Sequence, residues 1–171
     1  MQRGIMAAAA MGAILMTVAL WPGRAQPPNT PDFSGDWELI SASGTTPPAG
    51  LTLQIEQPAA NLRIAAQWIA PANGQYGLTT VGLLSPRLNF SMAGREDLNQ
   101  SGPFVVHSQA RWEGARLVVA WRTSQYLGSG FRGRWDYGLS ADGQQLTIDV
   151  HADSSLGQHA DAVLQFQRRS A

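Results

Sequence analysis

The chain of 171 residues contains no cysteine and no lysine. Without cysteine there is no disulfide, no thiolate metal ligand and no thiol nucleophile, so the folded state must rest on its core alone. Without lysine, all 12 basic side chains are arginine, set against 12 acids for a formal net charge of +0. Setting aside residues 1–25 removes Arg3 and Arg24 and leaves ten arginines against twelve acids. That balance excludes a polyanion such as nucleic acid as partner, because phosphate binding needs a basic surplus to release counterions. From Phe33 onward there is also no run of apolar residues at i, i+3, i+4, i+7, the spacing of an amphipathic helix. No Gly-x-Ser-x-Gly elbow, His-Glu-x-x-His pair or glycine-rich phosphate loop occurs. The chain therefore reads as non-enzymatic, with no catalytic residue and no cofactor.

What is present begins with an address. The opening MQRGIMAAAAMGAILMTVALWPGRAQ has a positive Arg3, an apolar run from Ile5 to Trp21, the helix breakers Pro22 and Gly23, and a small-x-small pattern ending at Ala25. That is the anatomy of a secretory signal peptide over residues 1–25, cleaved after Ala25. No cysteine stands at the cleavage site to carry a lipid, so the product is expected to be exported and soluble, periplasmic or extracellular, without a membrane span. Residues 26–32 form a short proline-rich entry segment, expected to be flexible. Residues 33–171 are expected to form one domain.

That domain reads as all-β. Period-two alternation recurs from end to end: Leu51, Leu53 and Ile55; Leu62, Ile64, Ala66 and Trp68; Leu117, Val119 and Trp121; Leu146, Ile148 and Val150. Short connectors at Gly114, Gly143 and Gly157 join antiparallel neighbours, since a parallel crossover needs a dozen or more residues. The polar stretch AGREDLNQSGP, with Glu96 and Asp97, reads as a loop. The pattern predicts an up-and-down meander of about 8–10 strands closed into a single barrel, which removes the sheet edges. A two-sheet sandwich is the alternative.

The stretch FSGDWEL places Gly35 and Trp37 on the first strand, LSADGQQLT falls late in the chain, and an arginine lies on the last strand. These features resemble the lipocalin and fatty-acid-binding superfamily of barrels (calycins) and small secreted bacterial proteins with an FSGxW opening. The resemblance implies that Trp37 plugs the closed end and that Arg168 packs across it. Parity selects Arg168 over Arg169, because Arg168 shares a face with Leu164 and Phe166. Gly35, lacking Cβ, leaves room where strands cross closely at a barrel end.

Three groups are candidate sites. Trp68, Trp112, Trp121 and Trp135, with Phe131 and Tyr137, fall on apolar faces and could line a pocket for an apolar or ring-bearing ligand. The same side chains could instead simply fill a small barrel. Arg116, Arg122, Arg132 and Arg134 have the opposite parity and should form an exterior basic stripe; arginines inside would instead resemble the carboxylate clamp of the intracellular fatty-acid binders. His151, Asp153, His159 and Asp161 gather on one face of the last hairpin. They form a weak metal candidate against two ordinary cross-strand polar pairs. The partner expected is a small apolar or amphipathic molecule; the alternatives are a filled barrel that contacts an envelope partner and, last, a barrel enzyme.

Overall fold

Among the residues that the structure describes, alternation becomes ten antiparallel strands, with no helix. The computed structural model describes residues 30–69, 87–102, 104–124 and 130–170; the leader expected over residues 1–25 lies outside them. The strands are β1 (Gly35–Ser43), β2 (Thr52–Glu56), β3 (Asn61–Gln67), β4 (Leu88–Ser91), β5 (Glu96–Ser101), β6 (Phe104–Glu113), β7 (Arg116–Thr123), β8 (Phe131–Leu139), β9 (Gln145–Ser154) and β10 (His159–Arg168). Their order in the sheet is β4-β3-β2-β1-β10-β9-β8-β7-β6-β5. The meander is thus a nearly closed barrel and not a sandwich, with β1 paired to β10 and the two ends of the sheet, β4 and β5, facing each other. Among the described residues no helix is long and apolar enough to cross a membrane, which says nothing of strands.

Burial follows parity. On β9, Leu146, Ile148, Val150 and Ala152 are buried while His151 is exposed. On β2, Leu53 and Ile55 are buried between the exposed Gln54 and Glu56. One face of every such strand fills the interior and the other meets water, so each buried side chain adds about 1.5–3 kcal/mol of hydrophobic stabilisation.

The polar stretch read as a loop is in fact β5, and it forms the barrel's seam. Its amphipathicity is reversed: Leu98 is 66% exposed, whereas Asn99 is 6% exposed. Asp97 and Asn99 therefore face β4, and their side chains replace the missing backbone ladder. The Asn89 N–H donates to Asn99 Oδ1 (2.7 Å), and Asn99 Nδ2 donates to the Asn89 carbonyl (3.0 Å). Asn99 Nδ2 also donates to Ser108 Oγ (3.1 Å), and the Ser91 N–H donates to the Asp97 carboxylate. A side-chain amide thus serves the edge of β4 as a peptide unit would, so its polar groups are not left unpaired.

The two ends of the barrel differ. At the base, Trp37 pairs with Arg168 across β1 and β10, and the turn between β8 and β9 lies alongside. The opposite end carries the starts of β6 and β8, where Phe104 meets Phe131 edge to face at 5.4 Å. The β3–β4 and β7–β8 connections leave from this end.

Candidate functional site

Strand register sets the interior aromatics against one another. Trp121 on β7 lies directly across from Gly133 on β8, and Trp135 on β8 lies across from Val119. A Cβ at Gly133 would sit 2.7 Å from Trp121 Cζ2 and 2.1 Å from the His151 carbonyl oxygen. Only glycine lets the Trp121 indole lie flat on β8 and stack on Trp135, ring centroids 5.0 Å apart at 23°. Such a stacked pair adds about 0.5–1.5 kcal/mol beyond the area it buries.

From that pair an aromatic wall continues toward the base. Phe90 on β4 touches both Trp135 (6.1 Å) and Tyr137 (6.5 Å). Phe33 meets Tyr137 edge to face (6.3 Å) and stacks on Trp112 (5.8 Å, 5°). Three of the four tryptophans singled out by parity, Trp112, Trp121 and Trp135, thus stand on one continuous wall. Trp68 follows β3 at the opposite end of the barrel, partly buried against the core.

This wall carries polar atoms without protein partners. Trp112 Nε1, Trp121 Nε1, Trp135 Nε1 and the Tyr137 hydroxyl are buried and form no hydrogen bond among the described residues. Buried donors in folded proteins are nearly always paired, and each one left unpaired costs about 1–3 kcal/mol. Trp37 supplies the contrast within the same molecule: its Nε1 donates to the Phe33 carbonyl at 2.9 Å. Full burial pushes the Tyr137 phenol well above its ordinary pKa, so it stays a protonated donor.

Below the wall, Arg168 locks the base. Its guanidinium carbon lies 4.3 Å from the centroid of the Trp37 ring. Nε donates to the Gly143 carbonyl (2.9 Å), Nη2 to that of Asp32 (3.2 Å) and Nη1 to that of Ser34. A Cβ at Gly35 would stand 2.6 Å from Arg168 Nη1, and the residue has φ +130°. The room that glycine leaves here is for a guanidinium, not for a crossing strand. Pro31 and Asp32, within the segment expected to be flexible, are tied down as well: Gln57 Nε2 donates to the Pro31 carbonyl (3.0 Å), and Asp32 accepts from Arg168.

Outside the barrel, the arginines of β7 and β8 are exposed or half-exposed and ion-paired. Arg116 pairs with Asp149, Arg122 with Glu96 (3.1 Å), and Arg134 with both Glu113 (3.1 Å) and Asp136 (2.5 Å). The hydrogen bond from Arg111 holds the Glu113 carboxyl below its ordinary pKa, and that to Asp136 raises the Arg134 value. Arg132 and Asp153 approach to 3.7 Å. Glu96, Arg122, Arg132, Arg134 and Asp153 border a shallow outer groove of about 510 Å³.

The hairpin of β9 and β10 brings His151, Asp153, His159 and Asp161 together as a chain of hydrogen bonds. His151 Nδ1 and Asp161 are 2.7 Å apart, His159 Nδ1 and Asp153 2.8 Å, and His159 Nε2 and Asp161 3.2 Å. Three of the four ring nitrogens are used by carboxylates rather than converging on a common point. Among the described residues no group of three or more such side chains is placed to hold a metal ion. His159 is shifted to a higher pKa by Asp153 and then Asp161, and Asp161 to a lower one chiefly by His151.

Sequence reasoning passed over Asp97, Asn99 and Ser108, which close the seam. The sequence carried little signal for them: EDLNQS has a single apolar residue, Leu98, and so no alternation of polar and apolar positions. Phe33 and Phe90, which join the tryptophans into one wall, are aligned only by the closure of the barrel.

No protein-family model matches the chain, and no curated protein sequence does. Solved structures do. Lipid binding protein 8 of Caenorhabditis elegans, in its apo form, superposes with a TM-score of 0.54 at 10% identity, covering 80% of this chain and 95% of that one. An abundant heat soluble (SAHS) protein of Ramazzottius varieornatus gives 0.52 at 10% identity, over 80% and 94% of the two chains. Fatty-acid-binding protein 1 of Echinococcus granulosus gives 0.51 at 10% identity, over 81% and 98%. The architecture is that of the calycin-like barrels.

Proposed function

We propose that this chain is an exported, non-enzymatic carrier whose barrel holds one small apolar or amphipathic molecule against the wall of Trp112, Trp121 and Trp135. Trp68 borders the site from the opposite end; Gly35, Trp37 and Arg168 close the base and do not touch the ligand. The leader-like opening supports export, and removal after Ala25 gives the working protein. Two structural neighbours are named for binding lipid or fatty acid, which agrees with an apolar cargo.

The observation that carries the reading is the set of buried donors on the aromatic wall that have no partner among the described residues. A structure that spends three indole N–H groups and a phenol on its interior face gains from a molecule that accepts from them. The experiment is a titration with N-phenyl-1-naphthylamine, an uncharged fluorophore bright only in apolar surroundings. Saturable enhancement at one probe per chain, with energy transfer from tryptophan, is expected. A linear, non-saturating rise would mean that the interior is filled by its own side chains, and the filled-barrel interaction module would replace the carrier.

A further inference from the structure

We infer that the molecule held in the barrel is uncharged and presents hydrogen-bond acceptors, an ester, ketone or ether rather than a free fatty acid. This rests on the carrier reading and narrows it to a ligand class. The first ground is an inventory of cations. The chain has no lysine, and beyond position 29 the segments outside the described residues contain neither arginine nor histidine. Every cationic side chain past that position is therefore located. Eight of the ten arginines past that position are exposed. Arg134 is held on the outer face by Asp136 and Glu113, and Arg168 by Trp37 and three backbone carbonyls at the base. His107, His151 and His159 stand on the outward parity of β6, β9 and β10 and face carboxylates there.

The second ground is what the interior does offer. Among the described residues its unpartnered buried groups are three indole N–H donors and a phenol that burial keeps protonated, all neutral. Asp97, on the inward parity of β5 beside the seam, adds a carboxylate. An ionised ligand carboxylate would thus leave water for an apolar barrel with no cationic side chain to meet it and with an acid at the seam, a desolvation that nothing inside offsets. A carbonyl or ether oxygen loses far less on leaving water and recovers that loss in hydrogen bonds to the indoles and the phenol.

The test is competition against bound N-phenyl-1-naphthylamine at pH 8 by a matched pair, methyl decanoate and sodium decanoate, which differ only in the charged group. The ester is expected to displace the probe with an affinity at least about tenfold above that of the acid. Tyr137→Phe, which keeps the ring and its packing, should weaken the ester by about threefold to tenfold while the acid changes little. If decanoate displaces the probe as well as the ester, the uncharged class is overturned while the carrier reading stands. If the probe binds but neither competitor displaces it, the assignment to acceptor-bearing molecules falls. If the probe itself does not bind saturably, carrier and ligand class fall together.

Discussion

Arg168 and Trp37 meet at the base of the barrel, the guanidinium 4.3 Å from the indole centroid, although they lie near opposite ends of the described chain. The contact joins the first strand to the last and draws in the β8–β9 turn and the entry segment through backbone carbonyls. A planar guanidinium suits that task because it can stack and donate in several in-plane directions at once, which an ammonium cannot. Arg168→Lys should therefore destabilise the fold by about 1–2 kcal/mol and Arg168→Ala by about 2–3 kcal/mol in denaturant unfolding. Equal stability of the lysine variant and the parent would contradict this role.

Gly35 answers to the same guanidinium. Alanine there would carry a strained φ and press on Arg168, together about 1–3 kcal/mol. Part of that cost disappears when Arg168 is already alanine. A double-mutant cycle of Gly35→Ala and Arg168→Ala should show a coupling of about 1 kcal/mol, read from the same unfolding curves. Strict additivity would mean that the glycine serves the backbone alone.

Gly133 is tied to Trp121 in the same manner. Gly133→Ala should push the Trp121 indole off β8 and break its stack on Trp135. Stacked indoles couple their transitions, so the expected sign is loss of an exciton couplet in circular dichroism, with destabilisation of about 1–3 kcal/mol. A couplet unchanged in the variant would place its origin elsewhere.

At the seam, Asn99→Leu would keep the volume and remove the amide that pairs with Asn89. The Asn89 N–H and carbonyl and the Ser108 hydroxyl would lose a partner, at a cost of about 1–3 kcal/mol. Hydrogen exchange should accelerate first at the amides of Asn89 and Ser91, while those within the β9–β10 ladder keep their protection. Uniform acceleration across the barrel would show that the seam is not a separate weak point.

The hairpin pairs titrate in opposite senses. His159 has its pKa raised from 6.5 by Asp153 and Asp161, so its contribution to stability is complete below pH 6.5 and is lost as pH rises through the folded value. Asp161 is lowered from 3.8, so its contribution is present above pH 3.8 and is lost as pH falls through its own folded value. Both contribute fully between those two ordinary values. Histidine NMR titration should give a His159 midpoint above 6.5 that drops in Asp153→Asn; a midpoint at or below 6.5 in the parent would refute the pairing.

Much of the architecture was legible in the sequence, because a sheet with one wet face writes its parity directly into alternation. Leu146, Ile148 and Val150 could be placed inside without any structure, and so could Trp121 and Trp135. β5 was not legible: Asp97 and Asn99 face inward only because the edge of β4 away from β3 has no ladder partner, and that arrangement is a product of closure. The wall was half legible. Parity turned Trp112, Trp121 and Trp135 inward, but it could not show that Phe33 and Phe90 would bridge them. Nor could it show that Trp37 Nε1 would find a carbonyl while the three indoles of the wall would find none among the described residues, since that depends on distances set across the whole barrel.

The most direct test of the central claim lies in those indoles. In protein labelled with nitrogen-15, each tryptophan gives a separate Nε1–H resonance, which moves when the N–H gains an acceptor. On titration with methyl decanoate, the resonances of Trp112, Trp121 and Trp135 should shift together and saturate at one equivalent. That of Trp37, already bonded to the Phe33 carbonyl, should stay in place. If the three resonances remain where they are while the ester is present in excess, the donors of the wall do not serve an acceptor-bearing ligand, and the carrier reading loses the observation it rests on.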